Sequence, residues 1–399
     1  MTKQQPSQSP FEFLRLPAGA LMAASASLTL FDAPAWPLLL LRIVVTELGY
    51  TLALPAIALL AGARGSRAAR AGGALGLLAA LLGLAPALRA ALVGRRLPAQ
   101  LAEAFGDAPL LHAPDAPPRP APLVVADLLR GVYSPPVRRE RRVYAVREGR
   151  PLYLDLYEPR HAEGAAPGVL VIHGGSWRHG DSTQLAPLNR YLAAHGYVVA
   201  ALNYRLLPDH PFPAARDDVL DALAYLKANA TALGLDADRI ALLGRSAGGQ
   251  LALLVAYTAG DPAIRGVAAL YAPTDLAYAY SHPCDPRLMN SPGVVSAYLG
   301  GAPDQVPQVY DTASPIAFAG PAAPPTLLIH GGRDELVSPM QSERLAARLA
   351  QAGRPHLLLR LPWATHGCDA NFSGPSGQVS TYAIERFLAA VTRGVKRKT

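Results

Sequence analysis

Residues 239–253 read RIALLGRSAGGQLAL. A short apolar run, Arg239 to Leu243, meets Gly244-Arg245-Ser246-Ala247-Gly248-Gly249 and passes at once into residues with apolar positions at three and four spacing. Strand, tight turn and helix therefore follow one another within fifteen residues. A serine held on such a turn needs small neighbours two positions away on either side, because a Cβ there would strike the adjoining backbone. The helix start that follows turns its positive dipole end toward the serine.

The same grammar extends in both directions. RVYAV, LYLDLYE, GVLVIHG, YVVAALNY, RIALLG, GVAALYA, TLLIHG and HLLLRLP are short apolar runs between Arg142 and Pro362. Helical spacing separates them at Asp217 to Ala228, Gly248 to Thr258 and Ser342 to Ala352, and recurs at Tyr382 to Ala390. This alternation predicts an α/β fold with a mostly parallel sheet flanked by helices. Chemistry in such sheets gathers beyond the carboxyl ends of the strands.

A serine at neutral pH needs a base, and the base needs an orienting acid. Asp334 follows the strand Thr326 to His330, and His366 follows the strand His356 to Leu361, so the chain order is Ser246, Asp334, His366. Glu335 is the rival acid and His356 the rival base, although His356 begins its strand and would point from the wrong end. Gly174 and Gly175, in His173-Gly174-Gly175-Ser176-Trp177, offer backbone N–H groups early in the chain, with Ala247 beside the serine. The second His-Gly-Gly, His330 to Gly332, comes too late for that loop, and His173 is read as shaping the loop, not as a base.

With these residues in view the chain resembles the α/β-hydrolase family, in its esterase/lipase branch with an HGG-type oxyanion loop (hormone-sensitive-lipase-like and bacterial carboxylesterases). The resemblance runs from about Arg142 to Val391 and rests on HGGSWRHGD (173–181), NYRLLPDHPFPAARDD (203–218), GRSAGGQLAL (244–253), HGGRDELV (330–337) and THG (365–367). It implies an α/β-hydrolase fold with Ser246 as nucleophile, His366 as base, Asp334 as acid, and Gly174, Gly175 and Ala247 as amide donors. Ser176 stands where the lipase-like loop has a third glycine. The implied reaction is hydrolysis of a carboxylic ester of short or medium acyl chain through an acyl-enzyme, without a cofactor. An amidase, formamidase or peptidase on the same triad, or a membrane acyltransferase, are the alternatives.

Outside this region the composition changes. The chain has 399 residues, 51% hydrophobic and only 17% charged, with formal charge +8 and pI near 9.6. Residues 1–100 hold nine Lys/Arg against three Asp/Glu, and the other 299 hold 28 against 26. That excess surrounds apolar runs and forms no patch with interleaved aromatics, which argues against nucleic acid. Two cysteines exclude a disulfide scaffold and a four-cysteine zinc site, and the histidines show no ligand spacing, so no metal is expected. Cys284 and Cys368 could bridge the lid to the loop bearing His366 in an oxidising compartment.

From Trp36 to Ala61 the only charges are Arg42 and Glu47, and from Ala71 to Leu88 there is none. Each run approaches the roughly 20 residues that cross hydrocarbon. The expected domains are an N-terminal helical membrane hairpin over 1–100, with spans at about 38–62 and 72–94, then a Pro-rich linker over 101–140 that tethers it. The catalytic domain follows over 141–399 with a lid at about 276–320, where Tyr278, Tyr280, Met289, Tyr298 and Tyr310 are candidate pocket walls. Arg64, Arg67 and Arg70 between the spans, against Arg95 and Arg96 beyond them, favour a cytoplasmic loop and an extracytoplasmic catalytic domain. Arg42 and Glu47 should then face an interface, not lipid. Arg138, Arg139, Arg141 and Arg142 around Glu140 read as a solvated face.

Overall fold

A computed structural model describes residues 12–60, 66–111, 116–160 and 164–393; Arg64, the end of the first expected span and residues 112–115 of the linker lie outside the described residues. The eight expected strands form one sheet: β1 (Arg138–Arg147), β2 (Arg150–Glu158), β3 (Ala166–Ile172), β4 (Val198–Leu202), β5 (Leu235–Arg245), β6 (Ile264–Leu270), β7 (Thr326–Gly331) and β8 (His356–Leu361). Their order is β1-β2-β4-β3-β5-β6-β7-β8. β1 and β2 join antiparallel at one edge, and every pairing from β4 to β8 is parallel. β3, β4 and β7 are buried at every residue, as expected of strands covered on both faces, which is why they read as unbroken apolar runs and not as alternation.

The helices, in chain order, are α1 (Glu12–Ser27), α2 (Trp36–Leu48), α3 (Ala53–Ala58), α4 (Arg67–Phe105), α5 (Val125–Arg130), α6 (Ala186–Ala194), α7 (Ala214–Ala228), α8 (Ala247–Thr258), α9 (Leu276–Ser281), α10 (Ser291–Leu299), α11 (Pro307–Ala313), α12 (Met340–Gln351) and α13 (Pro375–Thr392). One face of the sheet packs on α7, α8, α12 and the segment α9–α11, which supplies the lid region as three short helices. The other face packs on α6, α13 and the second half of α4. After β3 the chain winds outward to β4 and then returns to β5 on the other side of β3. The loops leaving β3 and β5 therefore open toward each other, the place where open α/β sheets hold their ligands.

The N-terminal helices are docked, not tethered. Ala90, Leu97 and Leu101 of α4 belong to the same core as Phe387 and Leu388 of α13, and Phe105 meets Phe387 edge to face at 4.9 Å. Residues 101–105, read from the sequence as linker, continue this helix. The first half of α4 projects from the domain, with α1 along it and residues 49–58 returning beside it. Gly49 lies against Gly83 and Ala56 against Gly76, and a Cβ on Gly76 or Gly83 would come within 2.5 Å of the neighbouring carbonyl oxygen. Small residues let helices approach this closely. Leu21, Leu54, Ile57, Leu77, Leu78 and Leu81 remain exposed on these helices. Trp36–Ala58 and Arg67–Phe105 are long and apolar enough to cross a membrane, each containing an 18-residue window of mean hydropathy 1.6 and 1.9, respectively.

At the sheet edge Arg139 and Arg141 of β1 pair with the buried Asp155 of β2, at 2.7 and 3.1 Å. Arg138 and Arg142 pair with Glu140, and Arg138 also with Glu158, so all four arginines of the basic face are ion-paired at this edge.

Candidate active site

Ser246 lies between the last residue of β5 and the first of α8, with φ 51° and ψ −122°, a conformation that side chains other than glycine rarely adopt. Its surroundings require the glycines. A Cβ on Gly244 would lie 2.1 Å from the Gly248 carbonyl oxygen, and one on Gly248 2.2 Å from that of His173. Ser246 N–H donates to the Leu270 carbonyl at 2.9 Å, and its own carbonyl accepts from Gln250 N–H at 3.1 Å, so both sides of the turn are fixed.

From this turn a chain of polar contacts runs away from the sheet. Ser246 Oγ lies 3.1 Å from His366 Nε2, and His366 Nδ1 lies 2.8 Å from Asp334 Oδ2. Asp334 Oδ1 accepts backbone N–H bonds from Leu336 and Val337, both at 2.9 Å. Burial alone would raise the Asp334 carboxyl, but His366 and His330 beside it hold it well below the usual carboxylate range. Glu335 turns the opposite way, to Arg42 at 2.6 Å and to the N–H of Ala33. His356 bonds the Arg354 carbonyl at the start of β8, away from the serine.

The loop after β3 closes over this site. A Cβ on Gly174 would meet the Arg245 carbonyl oxygen at 2.9 Å and Ser246 Cβ at 3.2 Å. Gly174 N–H, however, donates to Gln184 Oε1 at 2.8 Å, so this group of the expected donor set already has an acceptor. Among the described residues the N–H groups of Gly175, Ser176 and Ala247 have no protein acceptor. His173 stacks on Tyr204 at 4.2 Å, and burial pushes its imidazole below its ordinary value, consistent with a neutral residue that shapes the loop.

Comparison with known proteins shows what the chain is similar to. The BD-FAE family model matches residues 154–349. Esterase LipC of Mycobacterium tuberculosis is 33% identical over 243 residues, covering 57% of this chain and 59% of that protein. The probable carboxylic ester hydrolase LipM of the same organism is 31% identical over 260 residues, covering 61% and 59%. Over this region the chain is similar to esterases of the α/β-hydrolase fold. Its match spans about three fifths of the length of these relatives. Among solved structures, a bacterial heroin esterase superposes with TM-score 0.58 at 23% identity, over 74% of this chain and 98% of that one. Carboxyl esterase 2 of Tuber melanosporum superposes with TM-score 0.55 at 19% identity, over 64% and 87%. At those identities the likeness is one of fold.

The serine opens on a cleft walled by Trp177, Tyr278, Met289, Val294, Val295 and Leu336. Of the expected lid residues, Tyr278 and Met289 line it, whereas Tyr298 and Tyr310 are buried in the core and Tyr280 packs on Tyr310. Cys284 and Cys368 do not bridge: Cys284 Sγ bonds the Met289 carbonyl, and Cys368 is fully buried with its thiol pushed up by that burial.

Two residues of this candidate site escaped the sequence reading. His330 Nε2 lies 3.2 Å from Asp334 Oδ2, and its Nδ1 faces Ser342 Oγ at 2.7 Å, so the second His-Gly-Gly supports the acid from behind. Its spacing of four from Asp334 was the available signal. Gln250 accepts from Trp177 Nε1 at 3.1 Å and donates to the Ala313 carbonyl at 2.7 Å, joining the loop after β3 to α11. Its place within GRSAGGQLAL marked it only as a helix residue.

Proposed function

We propose that this protein is a membrane-anchored serine hydrolase that cleaves carboxylic esters of short or medium acyl chain. The observation that carries the reading is the unbroken contact from Ser246 Oγ through His366 to Asp334, on a turn that opens into an apolar cleft. Ser246 Oγ attacks the ester carbonyl while His366 Nε2 takes its proton; Asp334, already accepting from Nδ1, stabilises the imidazolium. The tetrahedral oxyanion is held by Ala247, Gly175 and Ser176 N–H groups, with Gly174 shaping the loop through Gln184. Each such donor lowers the barrier by roughly 3 kcal/mol. His366 then protonates the alcohol leaving group, and water repeats the sequence in reverse to release the acid. The curated relatives named above, described as esterases, support a small ester substrate. A chain-length series of chromogenic esters, run beside matched amides, tests this: turnover of short and medium esters is expected, and faster amide than ester turnover overturns it.

The anchoring reading rests on the apolar first half of α4, with α1 and residues 49–58 packed along it, whereas α2 is docked on the catalytic domain. Residues 67–85 of α4 span about 28 Å at 1.5 Å per residue, close to the hydrocarbon thickness. Arg67 and Arg70 sit at the far end of α4, which favours that end in the cytoplasm and the catalytic domain outside it. Carbonate extraction and protease treatment of intact spheroplasts test the two halves of this reading. Release by carbonate excludes the anchor, and a protected domain reverses its orientation.

A further inference from the structure

The site is held from one side by residues some 300 positions earlier in the chain. Four consecutive residues of the acid loop divide their contacts between two partners. Asp334 bonds His366, while Arg333 donates to the carbonyls of Thr29 and Leu30, Glu335 forms an ion pair with Arg42 and accepts from the Ala33 N–H, and Leu336 packs with Ala33 and Leu39. Arg42 is 1% exposed although charged, and its Nε and Nη2 find no partner among the described residues.

The other end of α2 reaches the segment that follows His366. Glu47, 2% exposed, accepts from Ser376 Oγ at 2.6 Å and Ser376 N–H at 3.2 Å, and its backbone carbonyl accepts from Asn371 Nδ2 at 3.1 Å. Gly374 also packs against Glu47, since a Cβ there would fall 2.7 Å from its Oε2. One helix thus bridges the two loops that carry the acid and the base, with Arg42 on the first and Glu47 on the second. Two buried ionisable side chains on an otherwise apolar helix cost desolvation that a plain anchor would avoid.

We infer that α2 is a strut for the catalytic loops, with Arg42 and Glu47 as positioning residues that hold Asp334 and His366 in register with Ser246. This rests on the hydrolase reading above. α2 then belongs to the catalytic unit. Neither residue touches the reacting atoms; each acts through the loop it holds.

The test compares full-length wild type with Arg42→Met, Arg42→Lys, Arg333→Met, Glu47→Gln and, as a control on the projecting helices, Leu81→Ala. Each is measured for kcat and KM on p-nitrophenyl butyrate, for Tm, and for end-point fluorophosphonate labelling, so that kcat is expressed per labelled serine. Displaced loops should lower kcat per labelled site about 10- to 100-fold in Arg42→Met, because ångström-scale misplacement costs that much. KM should move less than about threefold, since the cleft walls stay in place. Arg42→Lys, which keeps the charge, should recover part of the loss, Glu47→Gln should lose less than Arg42→Met, and Leu81→Ala should match wild type. If Arg42→Met fails to fold, Arg333→Met decides, because Arg333 is only half-buried and its loss leaves two carbonyls within reach of water. Wild-type kcat per labelled site in the folded variants, with only Tm reduced, overturns the strut. A wild type that neither labels nor turns over overturns the hydrolase reading and the strut together.

Discussion

The elbow at Ser246 and the helical bundle at the N-terminus both depend on glycines whose Cβ atoms would collide with a facing backbone, yet the close approach does different things. At Gly244 and Gly248 it lets the chain reverse from strand to helix and pushes a serine out of the sheet. At Gly76 and Gly83 it brings two helices together and leaves leucines facing outward. A tight glycine contact therefore reports only that two backbones meet. The residue between the glycines, polar at the elbow and apolar in the bundle, decides whether the meeting makes a site or a packing face.

Four substitutions sharpen or break this contrast. The largest effect belongs to Ser246→Ala, which should lower kcat by about a million-fold, leave Tm and carbonate resistance unchanged, and abolish fluorophosphonate labelling. Stoichiometric labelling of that variant would move the nucleophile elsewhere. Next, Asp334→Asn should lower kcat by about ten-thousand-fold by leaving His366 in the wrong tautomer, whereas Glu335→Gln, one residue on, should lose at most about tenfold. The reverse ranking would transfer the acid role to Glu335.

The bundle side of the comparison predicts a smaller and different change. Gly83→Leu forces apart two helices whose backbones touch and should cost about 1–3 kcal/mol of stability, read as a lower Tm in detergent. Ser246 labelling should persist, and its loss would mean that the bundle and elbow fold as one unit. The smallest effect is a pH dependence. Because the folded state holds the Asp334 carboxyl below its ordinary value, its ionised form stabilises the fold above about pH 3.9, and this contribution fades as pH falls toward the folded value. The Tm gap between wild type and Asp334→Asn should therefore be full at neutral pH and narrow below about pH 4. A gap that widens on acidification would mean that Asp334 is not held ionised by its histidine neighbours.

The eight strands and the four helical stretches read between and after them were legible because each is a local pattern: an apolar run of strand length, or apolar positions at helical spacing, bounded by glycine or proline. The elbow was legible for the same reason, since strand, glycine, serine, glycine and helix lie within fifteen residues. Chain order could bring Asp334 and His366 forward as candidates. Their geometry depended on the fold, because adjacent residues leaving a strand point in different directions, and only packing showed Asp334 turned to His366 and Glu335 turned to Arg42. Gly174 shows the same limit: a glycine in the right motif offers an N–H, but whether that N–H is free depends on Gln184, ten residues later. The docking of α2 was further out of reach. Hydropathy could say that Arg42 and Glu47 needed company, but their partners Glu335 and Ser376 lie about 300 residues away, and no periodicity in a chain encodes a contact at that separation. Sequence determined what each segment is, through propensity and spacing, and tertiary structure alone decided which polar groups meet, because a hydrogen bond depends on direction and distance between segments that the chain brings together only when folded.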